Sequence, residues 1–496
     1  MSEGLPRSVH FIAIGGTGMG SLAGLLARRG VRVTGSDHAL YPPMSTALEE
    51  WGIPVFEGFH ADRLIHFEVE GHSPDWVVIG NAVRADNPEA RAAIEAGYRC
   101  ASFPDALYEL AIAGRHSIVV SGTHGKTTTT SLVAALLHAT GRDPGALVGG
   151  ISLDFGGSFL DGKGPHFVVE GDEYDTAFFD KTPKFLHYHP RTLILTSVEF
   201  DHADIYRDLD HVKSAFRELL EGMPEDGTVV AAWGHENVRD VVAAAPCRVV
   251  RYGVAGGERD AELDWRADDL RSDSGSDGTG SLFTLHRPGA PPIAVRSPIF
   301  GRFNAENVTA ALAALDCLGV PLSESVEALR GYRGVKRRME VRGTEAGVTV
   351  IDDFAHHPTA VAGTIEAVRS RYPGRRLLAV FEPRSNTSRR RIFQEAYARS
   401  FDGADGAVVR RVPDEPVYSA TGEVTELFSA DELAAALAGR GVPCAVAEDV
   451  DDLVDHLAAT CRSGDVVLVM SNGAFGGIWE KLLEALRKGG SHEPES

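Results

Sequence analysis

Apolar residues come in short runs rich in Val, Ile and Leu, and these alternate almost throughout with stretches whose apolar positions recur at helical spacing. That alternation predicts parallel sheets flanked by helices. The first unit opens with a strand at Val9 to Ile14, then a glycine loop and a helix through Leu22, Leu25 and Leu26. A second strand, Val31 to Thr34, leads to Ser36-Asp37. A new start follows at Ser117 to Val120, where the chain runs into a second glycine loop and a helix carrying Leu132, Val133, Leu136 and Leu137 on one face, stopped by Gly141. The stretch from about Thr228 to Ile299 reads as strand-poor, with a polar Ser/Gly/Asp loop at Ser272 to Ser281. After Val335-Lys336-Arg337-Arg338 the pattern restarts with strands at Val348 to Ile351, Leu377 to Phe381, Ala407 to Val409 and Val466 to Met470.

The expected fold class is therefore α/β in three domains. Residues 1–114 form a Rossmann-like domain, 115–337 a central P-loop ATPase-type domain and 338–496 a second Rossmann-like domain. The length of 496 residues agrees, being about three times a common ~150-residue domain. With 43% apolar and 24% charged residues, most of the chain should fold.

A formal charge of -21 argues against nucleic acid, whose binding rests on Lys and Arg displacing counterions. Cys100, Cys247, Cys317, Cys444 and Cys461 lack CxxC spacing, which suits packing residues in a reducing compartment. There is neither a basic segment followed by a long apolar core nor a run near ~18 apolar residues, so no membrane association is expected and the cytoplasm is the expected location.

The strongest chemical signal is Gly122-Thr123-His124-Gly125-Lys126-Thr127-Thr128 between a strand and a helix. Backbone N–H groups at such a helix start cradle phosphate oxygens, a lysine bridges the β and γ phosphates, and a threonine hydroxyl reaches Mg²⁺. ATP is the ligand this predicts. The common GxxxxGK[ST] spacing would place glycine at position 120, where Val120 stands, so the loop is a shortened variant.

Two acidic clusters follow apolar strands. Phe167-Val168-Val169 ends in Glu170-Gly171-Asp172-Glu173-Tyr174-Asp175, and Leu193 to Leu195 leads to Glu199-Phe200-Asp201-His202-Ala203-Asp204. Carboxylates at sheet edges beside a phosphate loop are candidate metal ligands. Glu170 is the first choice, and His202 is a candidate for a second Mg²⁺. The alternative for each is a solvated loop charge.

These residues, together with Asn304-x-x-Asn307 opening a helix and Asp352-Asp353-Phe354-Ala355-His356-His357-Pro358, resemble the Mur ligase family along nearly the whole chain. The resemblance implies an ATP-dependent ligase that phosphorylates a carboxylate and lets an amine attack the acyl phosphate. It further implies that Lys126 polarises the γ phosphate, that Thr127, Glu170 and His202 organise Mg²⁺, and that Asn304 contacts adenine. Asp352, His356 and Arg337 would join from the C-terminal side. The loop Gly15-Gly16-Thr17-Gly18-Met19-Gly20, with Ser36, Asp37 and Asn81, is similar to the UDP-sugar site of members that take UDP-N-acetylmuramate. Glu382-Pro383-Arg384-Ser385-Asn386-Thr387 and Ser471-Asn472-Gly473 resemble the members that attach a murein tripeptide rather than L-alanine. Tyr41-Pro42-Pro43-Met44-Ser45 and His187-Tyr188-His189-Pro190-Arg191 point the same way. Arg384, Ser385, Asn386, Ser471, Asn472 and Gly473 are thus the expected peptide site.

Two alternatives remain at this point: ligation of L-alanine, and a nicotinamide-dependent oxidoreductase built on the first glycine loop and Asp37. The second leaves the phosphate loop unexplained, and its loop departs from GxGxxG because position 21 is Ser.

Overall fold

The computed structural model describes residues 4–38, 40–41, 44–69, 71–273, 280–411, 417–419 and 422–490. Pro42 and Pro43 of the Tyr41 motif, and most of the polar Ser272 to Ser281 loop, lie outside them. The chain forms two compact units. The first comprises 1–199, 212–266 and 307–334; the second comprises 200–211, 267–306 and 335–496.

The first unit holds two sheets. One is parallel, β1 (Ser8–Ile12), β2 (Arg32–Asp37), β3 (Val55–Glu57), β4 (Trp76–Ile79) and β5 (Cys100–Ser102), in the order β3-β2-β1-β4-β5. Every residue of β1 and β4 is buried, as a strand covered on both faces requires. The glycine loop after β1 sits where the strand order reverses, between the ends of β2 and β4.

The other sheet contains β6 (His116–Ser121), β7 (Gly145–Ser152), β8 (Gly157–Asp161) and β9 (His166–Gly171). A small hairpin of β10 (Asp175–Ala177) and β11 (Asp180–Pro183) follows, and then β12 (Thr192–Leu195), β13 (Thr228–Ala232) and β14 (Arg248–Val254). Within this unit the order is β14-β13-β12-β6-β9-β7-β8. β6 is parallel to both neighbours, with Ser121 paired to Leu195 on one side and Gly171 on the other. The acidic clusters after β9 and β12 therefore flank the loop leaving β6.

The two sheets are tied together by polar and aromatic contacts. The Arg29 guanidinium meets Asp161 at 2.6 Å, Ser21 and Ser158 share a 2.6 Å hydrogen bond, and Trp51 packs edge-on against Phe159.

The second unit holds β15 (Trp265–Ser272), the antiparallel pair β16 (Ser281–His286) and β17 (Ile293–Ser297), and a six-stranded sheet. Its strands are β18 (Glu340–Glu345), β19 (Val348–Asp353), β20 (Leu377–Phe381) and β21 (Gly406–Arg410). After a hairpin of β22 (Val417–Ser419) and β23 (Gly422–Val424) come β24 (Cys444–Ala447) and β25 (Val466–Met470). The order is β18-β19-β25-β20-β21-β24, and β18 alone among these runs antiparallel to its neighbour. One face packs on Val361, Ile365 and Tyr397, the other on Leu453, Ile478 and Leu482.

One expectation is corrected. The stretch from Thr228 to Ile299 is not strand-poor: it carries β13 to β17. The five cysteines are unpaired and partly buried, as packing residues would be. No helix among the described residues is long and apolar enough to cross a membrane.

Candidate active site

The phosphate loop begins where β6 ends. Gly122 adopts φ +131°, and a Cβ there would lie 2.3 Å from Thr196 Oγ1 and 2.7 Å from the Ser197 nitrogen, so only glycine fits. Gly125, at φ +80°, caps the helix Lys126–Ala139. The loop is laid against the segment after β12. Thr123 N–H donates to Ser197 O at 3.1 Å, His124 N–H to Ser197 Oγ at 2.9 Å, and Glu199 N–H to Thr123 Oγ1 at 2.8 Å. Thr196 and Ser197 were not singled out from sequence; the available signal was two small polar residues directly after a buried apolar strand.

Lys126 Nζ donates to Gly122 O at 2.8 Å and to Glu173 Oε2 at 2.8 Å. Burial alone would lower its pKa, but Glu173, Asp172 and Glu170 together raise it, so the ammonium is secure. Next to it, Thr127 Oγ1 donates to Glu170 Oε1 at 2.9 Å, while Glu170 Oε2 accepts from Gly149 N–H at 2.9 Å. A hydroxyl and a carboxylate side by side at a phosphate loop form a donor set of hard oxygens, which fits Mg²⁺.

In the first sheet, the Gly15 N–H donates to Asp37 Oδ2 at 2.7 Å, bringing the ends of β1 and β2 together. Gly16 faces open space, Gly18 abuts the Phe103 ring and Gly20 abuts Met44. Thr17 and Met19 lie in the first turn of the helix Thr17–Arg28, Ser36 is buried in β2, and Asn81 is exposed just past β4. All of these cluster at the carboxyl edge of the sheet, where open α/β folds bind ligands.

In the second unit, sequence-distant candidates come together. His202 takes a left-handed φ of +50°, and its N–H donates to Asp201 Oδ1 at 2.7 Å. Burial would raise the Asp201 carboxyl, yet His202, His356 and His357 hold it far below the usual carboxylate range. His356 Nε2 lies 3.9 Å from Asp201. Asp352 is fully buried, 3.3 Å from Arg337 and 3.8 Å from Arg342. Burial outweighs both guanidinium groups and pushes its pKa up to about 7. Arg337, itself left-handed at φ +60°, donates from Nη2 to Ser471 O at 2.8 Å.

Ser471 Oγ in turn donates to Glu382 Oε2 at 2.5 Å and accepts from Gly473 N–H at 3.0 Å. The Arg384 guanidinium lies over Gly473 so closely that a Cβ there would fall 1.6 Å from Nη1. Ser385 Oγ bonds Ser388 Oγ at 2.9 Å, Asn386 is exposed, and Asn472 Oδ1 has no hydrogen-bond donor among the described residues. The residues near Arg337, Ser471 and Arg384 share the carboxyl edge formed by β19, β25 and β20. Asn304 Nδ2 donates to Phe300 O at 3.0 Å in the first turn of the helix Arg302–Cys317.

Family models cover these elements in chain order. Residues 8–115 match the Mur ligase family catalytic domain, 120–315 the Mur ligase middle domain and 337–473 the Mur ligase glutamate ligase domain. The chain belongs to the Mur ligase family. Among its relatives, the UDP-N-acetylmuramate:L-alanyl-γ-D-glutamyl-meso-2,6-diaminoheptandioate ligase of Escherichia coli K12 is 38% identical over 97% of this chain and 98% of its own. The UDP-N-acetylmuramate:L-alanine ligase of Streptomyces avermitilis is 35% identical over 98% of this chain and 100% of its own. The crystal structure of a murein peptide ligase from Psychrobacter arcticus, 34% identical, superposes with a TM-score of 0.70 over 97% of this chain and 99% of that one. These matches leave the nicotinamide-dependent alternative without support. As a Mur ligase, the protein has the three-domain α/β architecture expected from its strand pattern.

Proposed function

We propose that this Mur ligase attaches L-alanyl-γ-D-glutamyl-meso-diaminopimelate to UDP-N-acetylmuramate at the expense of ATP. The sugar-linked carboxylate attacks the γ phosphorus and ADP leaves, giving an acyl phosphate. The peptide amine then attacks the carbonyl, phosphate departs and the amine loses a proton. The observation carrying the ligase reading is the half-buried phosphate loop, with Lys126 held ready at the helix start and Thr127 set against Glu170.

An anion approaching an anion needs positive charge, which Lys126 supplies at the γ phosphate together with the N–H groups of the helix start from Lys126 to Thr128. Thr127 and Glu170 are the proposed holders of Mg²⁺, which would neutralise phosphate charge, and His202 is the candidate for a second ion. Asn304 is assigned to adenine, Asp352, Arg337 and His356 to ATP and its transferred phosphoryl group. The loop from Gly15 to Gly20, with Ser36, Asp37 and Asn81, is assigned to the UDP-sugar. Arg384, Ser385, Asn386, Ser471, Asn472 and Gly473 are assigned to the peptide, whose several carboxylates call for a guanidinium and free N–H donors. These roles fall to domains bounded near residues 115 and 338.

L-Alanine is the competing amine, because relatives bearing either name match at 38% and 35%. Incubation with UDP-N-acetylmuramate, ATP, Mg²⁺ and either the tripeptide or L-alanine separates them. Faster phosphate release with the tripeptide is expected, and preferred turnover of L-alanine would reject this assignment.

A further inference from the structure

Two lysines face the carboxylates that follow β9, and they are treated differently. Lys126 is hydrogen-bonded twice. Lys184, at the start of the short helical turn Lys184–Tyr188, is only 8% exposed, yet its Nζ donates no hydrogen bond among the described residues. Its neighbours are the Tyr174 ring at 4.2 Å, the Phe103 ring at 5.6 Å and Asp172 Oδ2 at 3.9 Å, beyond hydrogen-bonding distance. Burial lowers its pKa despite the nearby Asp172, Glu170 and Glu173. A buried ammonium without a close partner is costly, and a lysine serving only to neutralise Asp172 would have closed that gap.

Its position gives the cation a use. The Phe103 ring touches both places: a Cβ on Gly18 of the first glycine loop would lie 3.0 Å from its Cζ, and Lys184 Nζ lies 5.6 Å from its centroid. Lys184 also lies 3.9 Å from Asp172, two residues from Glu170. Lys184 is thus linked through Phe103 to the loop assigned to the nucleotide sugar and through Asp172 to the acidic run that holds Lys126, the two places a sugar-linked carboxylate has to connect. With Lys184 8% exposed beside the Phe103 and Tyr174 rings, a charge pair formed there is little screened by solvent.

We propose that Lys184 is a further substrate-binding residue, whose ammonium receives the carboxylate of the sugar-linked acid. This rests on the function proposed above and adds a selectivity device to it. Lys184 rewards the acid group itself, so a UDP-sugar without that group gains nothing from it.

The test is calorimetric binding to the full-length protein, without ATP or peptide, of UDP-N-acetylmuramate and of UDP-N-acetylglucosamine, which lacks the lactyl acid. The wild type should favour the acid by about 10-fold or more, the worth of one charge-assisted hydrogen bond. Lys184→Met should abolish that preference while leaving UDP-N-acetylglucosamine affinity unchanged, and Lys184→Arg should keep most of it. Lys184→Gln replaces the Met variant if thermal melting finds the latter unfolded. In turnover, Lys184→Met should raise KM for the sugar-linked acid and not for ATP. A preference that survives the loss of the ammonium, or equal weakening toward both sugars, overturns the proposal. Binding needs no turnover, so a Lys184-dependent preference in a protein that forms no amide would overturn the ligase reading alone. Binding of neither sugar would overturn both.

Discussion

Glu173 holds the Lys126 ammonium in a buried ion pair of 2.8 Å, so the cation assigned to ATP is already positioned by the protein itself. Lys126→Ala is expected to abolish amide formation, by at least about 10³-fold, while UDP-sugar binding to the first sheet persists. It also strands Glu173, and losing one partner of a buried pair costs about 3–5 kcal/mol. The double variant Lys126→Met with Glu173→Gln should recover much of that stability and none of the activity. Ligation assays alongside denaturant melts check both halves; retained turnover would mean the phosphate site lies elsewhere.

Gly473→Ala places a methyl group where the Arg384 guanidinium now lies. The arginine is an exposed, flexible side chain, so the fold should survive with a small change in melting temperature. KM for the peptide should rise by about 10-fold as the Arg384 contact is lost, with KM for UDP-N-acetylmuramate unchanged. Equal effects on both substrates would place Arg384 outside the peptide site.

Asp352 gives a signed pH effect. Its carboxyl is raised to about 7, so the folded protein keeps a proton that the unfolded chain releases near the ordinary value of 3.8. Stability is therefore lost as pH climbs between these values. Asp352→Asn should remove that slope, leaving the variant more stable than the wild type at about pH 8, with the advantage vanishing toward about pH 4. Urea midpoints across the range measure it. An advantage independent of pH would contradict the raised value.

His187 carries the opposite sign. Burial disfavours its charged form, but Asp105 at 2.7 Å and Asp180 at 3.5 Å raise its pKa above 6.5. The stabilisation it brings is complete below its unfolded pKa and disappears as pH rises through the raised one. His187→Gln should destabilise by about 1 kcal/mol or less at about pH 6, since the group is partly exposed, and by less at about pH 9. Equal destabilisation at the two pH values would mean the ring is neutral throughout.

How legible a strand was depended on how many of its faces are covered. β6, β9, β19, β20 and β25 are largely buried and each has a mostly apolar centre, Ile118-Val119-Val120 in β6 and Val466 to Met470 in β25 among them. β15 buries Trp265 and Ala267 while Asp269, Arg271 and Ser272 face solvent, so Trp265–Ser272 looks like a charged loop. β16 alternates buried and half-buried positions over six residues, a signal diluted by Ser281, Thr284 and His286. β13 carries four apolar residues, Val229-Val230-Ala231-Ala232, against the three of β6, but two of them are alanines, which favour a helix over a strand.

The site divides in the same way. Gly122, Gly125, Lys126 and Thr127 are contiguous and obey a local backbone rule, so the sequence displays them. Lys184 sits in Asp180-Lys181-Thr182-Pro183-Lys184, a pattern typical of a solvated turn, and its burial comes from Phe103, far away in the chain. Ser197 likewise becomes part of the phosphate loop only because β12 pairs with β6.

The chain passes between its two units after Glu199, His211, Arg266, Glu306 and Gly334, so neither unit is a continuous stretch. On the ribosome the first unit waits for Val308, Leu312 and Leu315, all buried, before its interior is closed. By then only residues 200–211 and 267–306 of the second have been synthesised, and its main sheet, from Glu340 on, is still to come. A messenger truncated beyond Phe200 but before that point leaves fragments of both units with open cores, which makes incomplete products of this chain natural substrates for proteolytic clearance.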